Sequence, residues 1–345
     1  YEQFARTLYA AAVDADPTRP VIENDWVEPD PDRVFCSPIL TAHWYGRLHR
    51  DYLDKLENAC REWSGVDRPL YVTEFGDWGL PAMPEVAEAP FWDPRDTYAA
   101  GLAGTLWPAS IGRFVRETQR YQGISDRLQI EVFRRHDHIG GYCLTELTDV
   151  PHELNGVLDL HRQPKPLAVN EVRRANQPVL PMLALDTLVV GAGEDVHAAV
   201  HIANDGPALD DLEIDVRFGG AVAVPVDRLV ASDLSGRALE NRFTESVTGL
   251  RVAHVDAHHA TAVGDVTVRA PDVTGSHDLL VTLRAAGVVI AENRYPMHVV
   301  TTAPVAADVQ AVGPAAAALA AVGAHAGDTG PLVVAEDHLD ATAAV

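Results

Sequence analysis

The sequence predicts an α/β region followed by an all-β region. We expect residues 1–177 to form the C-terminal half of a TIM (β/α)8 barrel and residues 178–302 to form an Ig-like β-sandwich. Residues 303–345 are expected to begin a small α/β unit. Strand-period and helix-period segments alternate up to residue 177, and polar residues gather where the predicted strands end. Beyond residue 178 the apolar residues recur with a period of two, which is typical of antiparallel sheets.

The first region holds four predicted strand–helix units. In barrels of this architecture the chemistry lies at the C-terminal ends of the parallel strands, so the residues just after each strand are the first candidates. A whole barrel takes about 250 residues, so 177 residues would supply only part of one. The predicted strands cover residues 20–22, 34–45, 70–72 and 141–144, and the predicted helices cover residues 4–12, 52–63, 97–135 and 166–174.

The second and third regions are predicted from the spacing of their apolar residues and from the proline and turn residues between them. Pro178 and Pro181 mark a linker, after which three alternating apolar runs cover residues 196–202, 212–218 and 279–283. Such short alternating strands with turn residues between them favour a sandwich of two sheets. From residue 304 the sequence is rich in Ala and Gly, and two short apolar runs on either side of an Ala-rich segment predict the beginning of a βαβ unit.

Composition excludes several classes of function. The 345 residues carry 27 basic and 50 acidic side chains, a formal charge of −23, which repels nucleic acid and anionic membranes. A neutral partner is therefore expected. No run of 18 apolar residues occurs, so the sequence predicts a soluble protein, with the compartment left open between cytoplasm and secretion. Cys36, Cys60 and Cys143 have no zinc-site spacing. We expect no metal and no cofactor, and the sequence leaves the oligomeric state open.

Glu74 is the strongest candidate for a catalytic side chain. It directly follows the predicted buried strand at residues 70–72, and Gly76 beside it allows the backbone to approach a ligand closely. A strand end is a rigid mount for a reacting carboxylate. The alternative is structural, because an acidic residue after a strand is often a helix cap or half of a loop ion pair. Trp78, in the same motif, is a further candidate for contact with substrate.

The preceding strand ends in an aromatic cluster. His43, Trp44 and Tyr45 follow one another there. Aromatic faces stack on the apolar faces of sugar rings, and a tyrosine hydroxyl can hydrogen-bond a carboxylate. The alternatives remain open at this stage: the aromatic residues could close the end of the sheet, and His43 could be a structural histidine.

Further polar candidates follow the first and fourth predicted strands. Glu146, Asp149 and Asn155 could bind sugar hydroxyls, although a turn cap or an exposed charge explains each of them equally well. Asn24 and Asp25 end the first predicted strand and share that face, although a turn would account for them too. Two histidine pairs, at residues 136 and 138 and at residues 258 and 259, have no third ligand at a recognisable spacing, so we interpret them as structural.

Four segments together resemble glycoside hydrolase family 2, the group of β-galactosidases, β-mannosidases and β-glucuronidases. They are ADPTRPV at residues 15–21, HWYG at residues 43–46, RPLYVTEFG at residues 68–76 and GGYCLTELTDVPHELNGVLDLHRQPKP at residues 140–166. They stand in the family's order and span most of the first region. Each segment alone is only weakly specific for the family, whereas the four segments in the family's order are fairly specific.

The resemblance implies a retaining β-glycosidase on a (β/α)8 barrel. Glu74 would be the nucleophile that forms a covalent glycosyl-enzyme, Tyr45 would hydrogen-bond it, and His43 and Trp44 would line the sugar pocket. A second carboxyl group, about 5–5.5 Å from the first, is needed as acid and base. In the family that glutamate lies upstream of the position of Tyr1, so the resemblance implies that this chain is a fragment that does not hydrolyse glycosides.

Details of the sequence narrow the class of sugar that is expected as the ligand. β-Glucuronidases carry an Asn-x-Lys motif for the substrate carboxylate, whereas Asn155 is followed here by Gly156 and Val157. A neutral sugar is therefore the expected substrate. Two alternatives remain: a non-catalytic carbohydrate-binding or scaffold protein, and a retaining glycosidase of another barrel family.

Overall fold

The protein is described here from a computed structural model. It describes residues 2–23, 25, 37–46, 48, 50–81, 111–150, 153–219, 248–300, 308–312, 325–326 and 332–334. Within these ranges a small α/β layer precedes a two-sheet β-sandwich, and three short strands follow near the C-terminal end.

The α/β layer is built on a three-stranded parallel sheet in the order β1-β2-β3. Leu40 pairs with Leu70, and Leu70 pairs with Ile139, so the three strands start level with one another. The helices Arg50–Glu62, Ile111–Phe133 and Pro166–Ala175 lie against the sheet, and apolar side chains such as Val72 and Phe133 form the core between them. The elements are α1 (Glu2–Ala15), β1 (Leu40–Tyr45), α2 (Arg50–Glu62), β2 (Leu70–Gly76), α3 (Ile111–Phe133), β3 (Ile139–Leu144) and α4 (Pro166–Ala175).

The prediction of half a TIM barrel is wrong for the described residues. Among the residues that the structure describes, the parallel sheet has three strands, with β1 and β3 at its edges, and most strands lie in other sheets. Residues 20–22, predicted as the first strand, are irregular. Pro20 lacks the backbone N–H that a strand ladder requires, and three residues supply few ladder bonds in any case. The predicted strand residues 34–36 lie outside the described residues.

The β-sandwich consists of a five-stranded sheet, β5-β11-β10-β7-β8, and a three-stranded sheet, β4-β6-β9. Apolar side chains alternate inward along the strands, so that Val200, Ile202, Leu279 and Val281 are fully buried between the sheets. The strands are β4 (Val179–Leu185), β5 (Val189–Gly191), β6 (Asp195–Asn204), β7 (Leu209–Gly219), β8 (Thr248–Val255), β9 (His259–Arg269), β10 (Gly275–Ala285) and β11 (Val288–Val300).

A buried polar network joins α3 to the sandwich. Arg127 of α3 donates to Glu131 at 3.0 Å and to Asn293 of β11 at 3.3 Å. Its guanidinium lies 4.9 Å from the centre of the Tyr295 ring, and the Tyr295 hydroxyl donates to Glu131 at 2.6 Å. Arg127 also pairs with Glu171 of α4 at 2.8 Å. Because these groups are buried and paired with one another, the helix and the sandwich are held in one arrangement.

Three short strands lie in the last described ranges. They form a parallel sheet in the order β13-β12-β14, with β12 (Asp308–Val312) between β13 (His325–Ala326) and β14 (Leu332–Val334). The Ala-rich segment expected to be a helix between them lies outside the described residues. The proposed division into three domains stays a prediction.

Candidate active site

The candidate site lies at the C-terminal ends of β1 and β2, the two strands that carry the aromatic cluster and Glu74. Their register shifts between Ala42 and His43, after which His43 pairs with Glu74 and Tyr45 pairs with Gly76. The parallel pairing brings residues 29 positions apart in the sequence to one edge of the sheet. The side chains of His43, Tyr45 and Glu74 therefore meet there.

Tyr45 and Glu74 form the central contact. The Tyr45 hydroxyl donates to Oε2 of Glu74 at 2.8 Å. Tyr45 is 48% exposed and the Glu74 side chain is 41% exposed, so both are open to an incoming molecule. Partial burial, together with the neighbouring Glu74 carboxylate, raises the pKa of Tyr45 to about 12, although its hydrogen bond with Thr145 acts the other way. The phenol therefore stays protonated and remains a hydrogen-bond donor at neutral pH.

His43 makes a second contact with the same carboxylate oxygen. Its Nδ1 lies 3.3 Å from Oε2 of Glu74, and its Nε2 lies 3.7 Å from Oδ2 of Asp25. Asp25 in turn accepts a hydrogen bond of 2.6 Å from the hydroxyl of Thr73. Oε2 of Glu74 thus faces both the Tyr45 hydroxyl and the His43 ring, whereas Oε1 makes no hydrogen bond or ion pair with the described residues.

The backbone after Glu74 is held from behind by α3. Gly76 has a φ of +143°, and a Cβ at this position would lie 2.7 Å from the carbonyl oxygen of Thr145, so glycine is required there. The next amide, that of Asp77, donates to Oδ1 of Asp126 at 2.8 Å. Burial raises the pKa of Asp126 well above its usual range, and the nearby Asp77 charge adds to this.

Lys165 fixes the same loop to the segment after β3. Its ammonium group is buried and donates to the carbonyl oxygens of Gly79 and Leu154 and to Oδ1 of Asp149, the last at 2.7 Å. Burial raises the pKa of Asp149 to about 6, against the opposing effect of Lys165. A single ammonium group therefore ties together the two loops at the C-terminal edge of the sheet.

Two predicted substrate-binding side chains point away from the site. Trp44 packs into the core between the sheet and the helices, where its ring centre lies 6.1 Å from that of Phe133. Alternation along the strand explains this, because His43 and Tyr45 flank Trp44 and lie on the opposite face. Asp149 is buried and bound to Lys165 and to the amide of Gly156. These two are corrections to the predicted sugar-binding set.

The remaining predicted residues lie around the site at varying depth. Trp78 is 37% exposed on the loop after β2. Glu146 is half-buried on the loop after β3, and its backbone N–H donates to the carbonyl oxygen of Asn155 at 3.2 Å. The side-chain oxygen of Asn155 is buried and has no hydrogen-bond partner within the described residues. Asn24 lies outside the described residues.

The histidine pairs have structural partners in the described ranges. His136 contacts Glu57 at 3.0 Å and His138 contacts the carbonyl oxygen of Cys60 at 2.7 Å. His259 pairs with Asp137 at 2.7 Å. Among the described residues, no group of three or more His, Cys, Asp or Glu side chains is arranged to bind a metal ion. None of the described helices is both long and apolar enough to span a membrane.

Three residues that position the site were not identified from the sequence. Thr73 holds Asp25, Asp126 holds the amide after Gly76, and Lys165 joins the two loops. One signal was available for Lys165, since it is one of only two lysines in the chain and lies next to two prolines, Pro164 and Pro166. Nothing in the sequence distinguishes Thr73 or Asp126 from other polar residues.

Comparison with known proteins gives little further guidance. No family model matches the chain, and no curated protein matches it. The CARDB domain of the PF1109 protein from Pyrococcus furiosus is 13% identical with a TM-score of 0.22, covering 36% of this chain and 91% of that one. The sporulation control protein Spo0M from Bacillus subtilis is 16% identical with a TM-score of 0.23, covering 37% and 51%.

A third structure matches over a longer range. It is described as a putative beta-galactosidase from Bacteroides fragilis and is 15% identical with a TM-score of 0.33. The match covers 86% of this chain, which spans only 38% of that chain. Because all three TM-scores are below 0.5, these likenesses establish neither a family nor an activity.

Proposed function

We propose that this chain carries the nucleophile site of a retaining β-glycosidase, with Glu74 as the nucleophile. The observation that carries the proposal is the 2.8 Å hydrogen bond from Tyr45 to Oε2 of Glu74 at an open strand end. The four segments that resemble glycoside hydrolase family 2 support it independently, since two of them supply this pair.

The contacts assign different roles to the two carboxylate oxygens. Tyr45 and His43 both face Oε2, so negative charge is stabilised there while Oε1 is left to react. In the proposed first step Oε1 bonds to the anomeric carbon as the bond from that carbon to the leaving-group oxygen breaks. A second carboxyl group protonates the leaving group, then deprotonates the water that displaces Glu74.

The surrounding charge favours a neutral sugar. The chain has a net charge of −23, and Asp25 and Glu74 are both exposed at the site. A substrate carboxylate would be repelled by these groups. The proposed ligand is therefore an uncharged β-glycoside.

Covalent trapping tests the nucleophile without requiring the second carboxyl group. The chain is incubated with 2,4-dinitrophenyl 2-deoxy-2-fluoro-β-glycosides of the gluco, galacto and manno series. Dinitrophenolate leaves without protonation, and the fluorine slows release of the sugar from the enzyme. We expect mass spectrometry to show one added fluoroglycosyl group, and peptide mapping to locate it on Glu74.

Matched variants make the result specific. Glu74→Gln removes the attacking oxygen and should abolish labelling, whereas Glu62→Gln, at an exposed position of α2, should label like the wild type. Labelling at another carboxylate, or undiminished labelling of Glu74→Gln, would reject the nucleophile assignment. Saturable sugar binding without any labelling would instead favour a carbohydrate-binding protein that lacks the chemistry.

A further inference from the structure

A closed circuit of contacts joins four side chains, those of Asp25, Thr73, His43 and Glu74. The circuit starts at Thr73, whose hydroxyl donates to Oδ1 of Asp25 at 2.6 Å. It continues from Oδ2 of Asp25 to Nε2 of His43 at 3.7 Å, and from Nδ1 of His43 to Oε2 of Glu74 at 3.3 Å. It thus begins and ends on neighbouring residues of β2.

We propose that Asp25 is a positioning residue that holds His43 against Oε2 of Glu74 and makes no contact with the sugar. This inference rests on the proposed function of Glu74. It gives Asp25 a different role from the ligand contact predicted from the sequence.

The two oxygens of Asp25 support this role. Oδ1 already accepts the short hydrogen bond from Thr73, which fixes the carboxylate relative to β2. Oδ2 lies 3.7 Å from Nε2 of His43, a buried atom that has no hydrogen-bond partner within the described residues. A buried polar atom of this kind is costly unless it finds a partner, and a movement of under about 1 Å would bring the pair to hydrogen-bond distance.

The circuit also explains why His43 is oriented as it is. An imidazole with only one fixed contact can rotate about its side-chain torsions, whereas an imidazolium placed between two carboxylates can donate from both nitrogens and is held at each. His43 is 13% exposed, so its ring has little contact with water that could replace Asp25. Loss of Asp25 should therefore loosen His43 and, through it, the orientation of Glu74.

The expected effect is on reactivity rather than on affinity. A small displacement of a reacting group can lower a rate on the order of 100-fold. In the trapping reaction we expect Asp25→Ala to lower the labelling rate constant by about 10- to 100-fold while the half-saturating reagent concentration stays the same. Asp25→Asn keeps an oxygen that can accept from Nε2 and should recover part of the rate. Asp54→Asn, an exposed aspartate of α2, is the matched control.

Three results would overturn the proposal. The first is an unchanged labelling rate constant in Asp25→Ala. The second is a weaker half-saturating concentration at an unchanged rate constant, which would make Asp25 a sugar ligand. The third is Asp25→Asn behaving no better than Asp25→Ala, because then an acceptor oxygen at this position would not be what matters.

A measurement without sugar separates this proposal from the proposed function. The ring ¹⁵N resonances of His43 report its contacts directly, and we expect them to move in Asp25→Ala and in Glu74→Gln but not in Asp54→Asn. If the wild type is not labelled, the glycosidase proposal fails while the contact is still tested by these resonances. Unchanged His43 resonances in Asp25→Ala would show that Asp25 does not hold the ring.

Discussion

The α/β layer and the β-sandwich are stabilised in different ways. In the sandwich, apolar side chains alternate along long strands, so its stability is distributed over many similar contacts. In the layer, the strand ends are held by single polar groups that reach across the structure, such as Lys165, Asp126 and Gln119, which donates to the carbonyl oxygen of Leu80 at 2.8 Å. The candidate site is built on the second kind of support.

The difference shows how a site can stay both open and fixed. Glu74 and Tyr45 are exposed, so apolar burial cannot hold them in place. Directional bonds from buried groups behind the strand ends can fix their backbone without covering them. Single substitutions should accordingly have large local effects in the layer and more evenly distributed effects in the sandwich.

Replacing Lys165 with Met should have the largest effect on stability. The substitution removes three hydrogen bonds and leaves the carboxylate of Asp149 buried without its partner. Breaking such a pair costs about 3–5 kcal/mol, which urea unfolding would measure as a loss in the free energy of unfolding. The amide of Gly79 should exchange hydrogen faster as well.

The only other lysine supplies the control. Lys55 is exposed on α2, and Lys55→Met should change the free energy of unfolding by no more than about 0.5 kcal/mol. If Lys165→Met also costs less than about 1 kcal/mol, single polar groups do not support the layer in the way described.

Replacing Leu279 with Ala tests the sandwich side of the comparison. Leu279 is fully buried between the sheets, and its truncation should cost about 3 kcal/mol through lost burial and the remaining cavity. Hydrogen exchange at Gly79 should be affected only through global unfolding. Val288→Ala, at an exposed position of β11, should be nearly neutral. Selective loosening of the loop after β2 in Leu279→Ala would contradict the separation of the two regions.

Lowering the pH should reduce the stability of the α/β layer through protonation of Glu57. We expect this effect to be smaller than that of Lys165→Met or Leu279→Ala. Burial alone would raise the pKa of Glu57, but hydrogen bonds with His136 and Arg135 and their charges lower it well below its usual range. Because the folded pKa is lowered, this contribution is present above the ordinary value of about 4.3 and is lost as the pH falls below it. We expect Glu57→Gln to be about 1–2 kcal/mol less stable than the wild type at pH 7 and closer to it at pH 3.

Urea unfolding at several pH values measures this difference. Glu62→Gln, in the same helix but exposed, should follow the wild type at every pH. A gap between Glu57→Gln and the wild type that stays constant from pH 7 to pH 3 would show that the lowered pKa of Glu57 does not contribute to stability.

The resemblance to glycoside hydrolase family 2 implied the hydrogen bond between Tyr45 and Glu74 that the structure contains, whereas the half-barrel predicted around it is wrong for the described residues. Strand-period patterns placed strands before both residues, and the parallel pairing of β1 with β2 brings Tyr45 to Glu74. Closure of a barrel depends on how many strands pair, and no local pattern encodes that number. Trp44 was assigned to the sugar pocket by its residue type, although the period of two would have placed it on the core face.

Helix α3 shows why the remainder could not be predicted. Polar residues of a helix usually face water, but four polar or charged residues of α3 are fully buried: Gln122, Asp126, Arg127 and Glu131. Their partners are far away in the sequence, Arg127 and Asn293 being 166 positions apart. From the sequence, a polar helix face is predicted to be exposed to solvent. Only the folded structure shows the distant side chains that pair with it and allow it to be buried.

The network around Arg127 has a practical consequence for anyone wishing to dissect this molecule. A cut after residue 177, where composition changes, would strip Asn293 and Tyr295 from a guanidinium and a carboxylate that no solvent reaches. In the excised N-terminal piece the ion pairs of Arg127 with Glu131 and Glu171 would remain, but the face of α3 that carries them would be uncovered. The sandwich therefore supplies buried partners to α3, and crystallography or library screening should keep both parts in one polypeptide.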